Sequence, residues 1–293
     1  MMNRRSFVKK SGVLAAASTF LSPSALLDKR LNQYGAMLYT VRDLMKTDPA
    51  NTLLRIREMG YYEVEHAGYD EGKFYGLEPK DFKTLCYQRG LRIRSGHVQT
   101  GFTSPDKSRT MVRDWEAALD DMAEIDQEYV VLAYLQDIER KTIDDYKRIA
   151  DLLNECGEMG RKKGIRMAYH NHAFEFEPID GQIPMDVLLK NTDDKLVAFE
   201  MDIYWVHKAQ VDPVTYFEKY PKRFELWHVK DMDNSEEQFF TEVGTGVINW
   251  ERMFSNAKQS GMKHFYVEQD VTRQHNPLRS LEISREYLSK LRF

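Results

Sequence analysis

The chain has 293 residues, 42% of them hydrophobic, which is ample for one large core or for two smaller domains. A net charge of -4, with no long run of like charges, excludes the basic footprint of a nucleic-acid binder and a charged binding tail. Its two cysteines, Cys86 and Cys156, form no C-x-x-C pair, so thiol redox and zinc-thiolate chemistry are excluded; both lie in helix-like segments and read as free, buried thiols.

In chain order, the first feature is "NRRSFVKKSGVLAAASTFLSPSA". Arg4-Arg5, then Phe7 and Lys9, precede a mild apolar run from Val13 to Leu21, the pattern of a twin-arginine export signal with cleavage around Ser22 to Ala25. That run is too short for a stable membrane span. The expectation is therefore export to the periplasm without stable membrane insertion afterwards. Residues 1–30 read as signal and linker, and residues 31–293 as a single domain. Folded export suits a protein that must take up its metal before meeting competing copper or zinc.

From Gly35 onward, short apolar runs rich in β-formers alternate with segments of helical period. The runs are "GAMLYT", "YYEVEH", "LRIRSGH", "EYVVLAY", "GIRMAYH", "LVAFEMD", "FELWHV" and "HFYVEQD". Asp48-Pro49 reads as a cap followed by a first-turn proline. Gly60, Gly90, Gly164 and Gly261 each end a helical stretch just before a strand. Eight strand–helix units joined by right-handed crossovers predict an α/β fold, a (β/α)8 TIM barrel. A doubly wound sheet would need a glycine-rich turn after the first strand, and "YTVRDLMKTDP" has none.

Barrels of this kind build their chemistry where strands run into the following loops. Strand two ends at Glu65-His66 and strand three at His97. Strand five ends in "YHNHAFEFEP", which gathers His170, His172, Glu175 and Glu177. Strands six, seven and eight end at Asp202, His228 and Glu268. Carboxylates at the ends of apolar strands are costly to bury unless paired or metal-bound. A mixed carboxylate and imidazole set suits one divalent ion, Mn, Mg, Co or Zn.

The segments "YHNHAFEF", "EMDIYWV", "HVKDM", "VGTGVINW" and "YVEQD", in this order, resemble the sugar phosphate isomerase/epimerase family with its xylose-isomerase-like TIM barrel. The likeness runs from about Gly35 to the C-terminus and points to the exported branch with twin-arginine signals. It implies four metal ligands, Glu175, Asp202, His228 and Glu268. It also implies that Glu175 and Glu268 pass the substrate proton across a bound ketose. Two positions depart from the family pattern. Trp205 stands where many members have a histidine, and Glu175 lies beyond the strand, with Glu177 as its alternative.

His97, His172, Lys230 and Trp205 are the candidate substrate contacts, and Tyr39 and Tyr204 could pack on a sugar face. Gly244 and Gly246 permit a turn before a helix that Asn249 can cap. The expected activity is metal-dependent isomerisation or epimerisation of a non-phosphorylated sugar or keto-sugar. A keto-glycoside lyase or an inosose-type dehydratase would use the same metal and bases, and a non-catalytic sugar-binding protein is the alternative of another class. The expected partner is a small carbohydrate, not a nucleic acid, with a homo-oligomer allowed.

Overall fold

Each of the eight apolar runs contains a strand, because alternate side chains find separate apolar layers to enter. The computed structural model describes residue 31 and residues 33–293; the export signal read at residues 1–30 lies outside them. The strands are β1 Gly35–Met37, β2 Glu63–His66, β3 Arg92–Val98, β4 Tyr129–Leu132, β5 Arg166–His170, β6 Val197–Asp202, β7 Phe224–Val229 and β8 His264–Val267. All pair in parallel and in sequence, and β1 closes the barrel by pairing with both β2 and β8, with Gly35 opposite Glu63 and Tyr266. The fold is the (β/α)8 TIM barrel that the strand–helix rhythm predicted.

A principal helix follows each strand: Pro49–Glu58, Pro79–Gln88, Trp115–Glu124, Ile143–Lys162, Pro184–Asn191, Pro213–Lys219, Trp250–Ser255 and Pro277–Lys290. The Asp48 side chain accepts from the Asn51 amide at 3.1 Å, with Pro49 in the first turn, and Asn249 caps its helix by accepting from the Arg252 amide. The four helix-ending glycines all adopt positive φ. Cys86 and Cys156 are free and buried. Among the described residues, no helix is long and apolar enough to cross a membrane.

Two details differ from the sequence reading. The first strand stops at Met37 instead of Thr40, and the chain turns through a 3-10 helix at Leu38–Val41. On one side its neighbour runs out: β8 ends at Val267, opposite Ala36, so from Met37 onward the chain has a partner strand on the β2 side alone. Two small antiparallel hairpins, Tyr69–Asp70 with Lys73–Phe74 and Asp231–Met232 with Phe240–Thr241, also decorate the loops.

The strands divide their side chains between two layers. Met37, Tyr129, Val131, Ala168, Ala198, Leu226 and Tyr266 fill the barrel interior. Met167, Tyr169, Phe199 and Trp227 face the helices. Gly96 on β3 shows how tight the outer layer is. The His66 ring packs over it, and a Cβ there would lie 1.8 Å from His66 Nε2. His66 is held in place by Gln127 Oε1 at 2.7 Å. Gly96→Ala is expected to cost about 1–3 kcal/mol of stability by overpacking, read as a lower denaturant midpoint at unchanged slope.

A candidate metal centre at the barrel rim

Strand alternation carries a second consequence above the apolar interior. On β5 the inward position after Ala168 is His170, and on β6 the inward positions after Ala198 are Glu200 and Asp202. His228 follows Leu226 inward on β7, and Glu268 follows Tyr266 just past β8. His170, Asp202, His228 and Glu268 therefore converge, with one ligand atom from each lying within 4.8 Å of the others. His170 Nε2 stands 3.2 Å from Asp202 Oδ2 and 3.2 Å from His228 Nδ1. His228 Nδ1 is 2.8 Å from Glu268 Oε2.

The donors are oriented from behind. The other oxygen of Asp202 accepts the Trp205 amide at 3.0 Å, so the carboxylate caps the helix Ile203–Lys208 while Oδ2 faces the cluster. His228 Nε2 is 2.5 Å from Glu65 Oε2. A carboxylate there favours the proton on Nε2 and leaves the Nδ1 lone pair aimed at the cluster, an arrangement common behind metal-bound histidines.

The set fits a divalent cation. Ligands at about 2.1 Å from one ion stand roughly 3.0–3.4 Å apart; three pairs here are separated by 2.8 Å or 3.2 Å, and His228 Nδ1 and Asp202 Oδ2 by 3.9 Å. Two imidazole nitrogens and two carboxylates are also the donor chemistry that first-row divalent ions accept. Charge points the same way. Four buried carboxylates, Glu65, Glu200, Asp202 and Glu268, and the partly buried Asp270 crowd the site. Lys230 is the lysine among them, 2.8 Å from Asp202 Oδ2, 2.6 Å from Glu268 Oε2 and 2.5 Å from Asp270 Oδ1. Burial raises the Asp202 carboxyl, but Lys230 and the His170 hydrogen bond outweigh it and bring it down to about 2. Burial pushes Asp270 up to about 6, against the pull of Lys230.

Beneath the set lies a second layer in which Glu65, His97 and Glu200 surround the inner edge of His228. His97 Nε2 stands 3.6 Å from both Glu65 Oε2 and Glu200 Oε2. Burial and the neighbouring Glu65 charge push Glu200 up to about 7. Glu65→Gln removes the charge that polarises His228 while keeping its shape. It is expected to weaken metal binding about 10- to 100-fold, measured by competition with a chromogenic chelator.

The structure brings together three of the four ligands expected from the sequence, Asp202, His228 and Glu268; His170 stands where Glu175 was expected. The Glu175 expectation is corrected by geometry. The chain leaves β5 at His170 and makes a 3-10 turn, Phe174–Phe176, that swings the Glu175 carboxylate behind the sheet. There it accepts from the Tyr169 hydroxyl at 2.6 Å and the His172 amide at 2.7 Å. Burial raises it to about 7. Its alternative, Glu177, is exposed.

Lys230, His97 and His172 all line the cavity over the donor set, which measures ≈ 340 Å³. Trp205 stands behind it, its ring 5.4 Å from that of His172. Tyr39 lines the cavity, whereas Tyr204 packs against Trp205 and Phe240. Four of the chain's eight histidines, His97, His170, His172 and His228, gather here. His66, next to Glu65, faces the helices instead. Glu65, Glu200, Asp270 and Tyr134 were not singled out as site residues. The first three carried a signal, since Glu200 and Asp270 lie two residues from Asp202 and Glu268, and Glu65 is the next-to-last residue of a strand.

The family profile described as Xylose isomerase-like TIM barrel matches residues 53–291. An inosose dehydratase from Lacticaseibacillus casei is 24% identical over 265 residues, spanning 79% of this chain and 88% of that protein. A sugar phosphate isomerase/epimerase from Parabacteroides distasonis, solved by crystallography, is 30% identical, with a TM-score of 0.77 over 93% of this chain and 97% of that one. The crystal structure of the IolI protein with a bound zinc atom shares the fold at 12% identity, with a TM-score of 0.69 over 87% of this chain and 96% of that one.

Proposed function

The chain belongs to the xylose isomerase-like TIM barrel family, and we propose that it is a metal-dependent isomerase or epimerase that moves a proton beside the carbonyl of a non-phosphorylated sugar or keto-sugar. One observation carries the proposal: His170, Asp202, His228 and Glu268 meet beneath an open rim cavity that His170 and Glu268 line, with Lys230 among them. Among the described residues that line this cavity, Lys230 is the one lysine or arginine, and carboxylates already engage it. That supports an uncharged polyol over a phosphate ester.

A divalent ion (Mn, Mg, Co or Zn) held by those four residues would polarise a carbonyl oxygen and make the adjacent C–H more acidic. The chain's own groups handle the proton. Glu268 and Asp270 both line the cavity, so one carboxylate can remove a proton that the other returns. The Lys230 ammonium, between them, can donate a hydrogen bond to the oxygen that gains negative charge. Among the described residues the buried His172 Nδ1 has no hydrogen-bond partner, and it can serve a substrate hydroxyl. The proposal includes export to the periplasm, resting on Arg4-Arg5 and the apolar run after them.

Elimination is the second reading, supported by the similarity to inosose dehydratases. The same proton removal would then end in loss of a β-hydroxyl as water. The test is a panel of ketoses and inososes in deuterated buffer, read by mass spectrometry. Deuterium beside the carbonyl, lost again when a chelator strips the protein, is the expected result. A product lighter by one water selects elimination. Absence of both from the metal-loaded protein would overturn the proposal.

A further inference from the structure

The cavity over the donor set does not end at the donor set. A second lobe of ≈ 170 Å³ opens beside it, half the size of the first. The two share the walls made by Tyr39, His97, Ala133 and Tyr134. Tyr39 and Tyr134 are 39% and 42% exposed, so two partly exposed aromatic side chains flank the passage between the lobes, the Arg42 guanidinium covering one face of the Tyr39 ring at 4.3 Å.

The chemistry of the second lobe differs from that of the first. Gln99, Thr103 and Gln136, all exposed, supply amides and a hydroxyl, and Tyr69 adds another ring. The lining contains no lysine or arginine among the described residues, so it offers nothing to neutralise a phosphate or carboxylate. Its carboxylate, Glu139, is already engaged by the Thr100 hydroxyl and by the Gln136 backbone N–H at 2.7 Å. Neutral hydrogen-bonding groups with partly exposed aromatic rings suit a sugar ring, whose hydroxyls need donors and acceptors and whose C–H face packs on an aromatic surface.

The lobe is also built in advance. The long segment after β3 folds back on itself, with the Met111 amide donating to Gln99 O at 3.2 Å and the Val112 amide to Thr100 O at 3.1 Å. At its bend Gly101 has φ +93°, and a Cβ there would lie 2.2 Å from Thr110 Oγ1. The backbone that carries Gln99 and Thr100 is thus pinned before any ligand arrives, which lowers the ordering cost of binding.

Resting on the reading of the rim as a keto-sugar site, we infer that the lobe is a second sugar subsite and that the substrate class is a two-ring glycoside. The keto ring sits at the donor set, the second ring occupies the lobe, and the linkage passes between Tyr39 and Tyr134. The second ring adds binding without touching the reacting carbons.

The test is calorimetric binding of D-fructose against the keto-disaccharides lactulose, turanose and isomaltulose, which differ in the carbon bearing the second ring. At least one disaccharide is expected to bind metal-loaded protein about tenfold or more tighter than fructose, a gain of about 1.4 kcal/mol. Thr103→Trp, which fills the lobe from an exposed position, and Gln99→Ala are each expected to erase that preference. Equal affinity for one and two rings, a preference that survives Thr103→Trp, or no binding of any ketose overturns the subsite. Deuterium exchange in the same samples is scored separately. Its absence despite ring-dependent binding sinks the catalytic reading and leaves the subsite standing.

Discussion

His170→Ala protein is expected to lose turnover by about a thousandfold or more, near 4 kcal/mol of transition-state stabilisation, and to purify without its ion. Glu175→Gln protein is expected to keep its ion, with turnover within about tenfold of the parent. The contrast follows from where the two side chains go. His170 Nε2 lies 3.2 Å from both Asp202 Oδ2 and His228 Nδ1, so its loss opens one side of the donor set. It also leaves Asp202 and Glu268 buried with Lys230 as the cation that contacts both. Glu175 instead ties the turn after β5 to Tyr169 and to the His172 amide. Glutamine can accept the amide hydrogen and donate to the tyrosine oxygen, so the turn survives. Metal content by plasma emission and single-turnover exchange on the same preparations separate the two variants. Loss of the ion from Glu175→Gln, with retention by His170→Ala, would return the ligand role to Glu175.

The second large effect is expected at Glu268. Its carboxylate reaches Lys230 at 2.6 Å and His228 at 2.8 Å while lining the cavity. Burial raises its carboxyl, but Lys230 and His228 together hold it well below the usual carboxylate range. It is therefore ionised, the form a proton acceptor needs, and its closeness to the cavity rather than its basicity is what suits it to the role. Glu268→Gln keeps an oxygen donor but not a base. Solvent-deuterium exchange is expected to fall by about 10²- to 10⁴-fold, the usual worth of a positioned base. Metal affinity should fall far less, because an amide oxygen can still face the ion. Parallel loss of metal and exchange would mean that Glu268 acts as a ligand alone, and would move the proton work to Asp270.

Much of this site was legible from period-two alternation. Once "LVAFEMD" and "FELWHV" are strands, Glu200 and Asp202 share a face with Ala198, and His228 shares one with Leu226. The same rule separates Glu65, which enters the interior, from His66, which packs over Gly96. That parity stops where a strand stops. "HNHAFEFEP" offers four metal-capable residues, and no local pattern says whether the chain turns inward or outward after His170. The 3-10 turn at Phe174–Phe176 decides it, sending Glu175 to the helix layer.

The sequence by itself determined the number of strand–helix units, their parallel order, and the end of the barrel at which polar residues collect. Those properties depend on neighbours a few residues apart, where backbone geometry alone sets which side chains share a face. Only the tertiary structure decided the partners. Glu65 orients His228 across 163 positions of sequence, and the two lobes meet because β1, β3 and β4 deliver Tyr39, His97 and Tyr134 to one stretch of rim. Closure of the cylinder and the path of each loop set those distances, and neither is encoded in any single window of the chain.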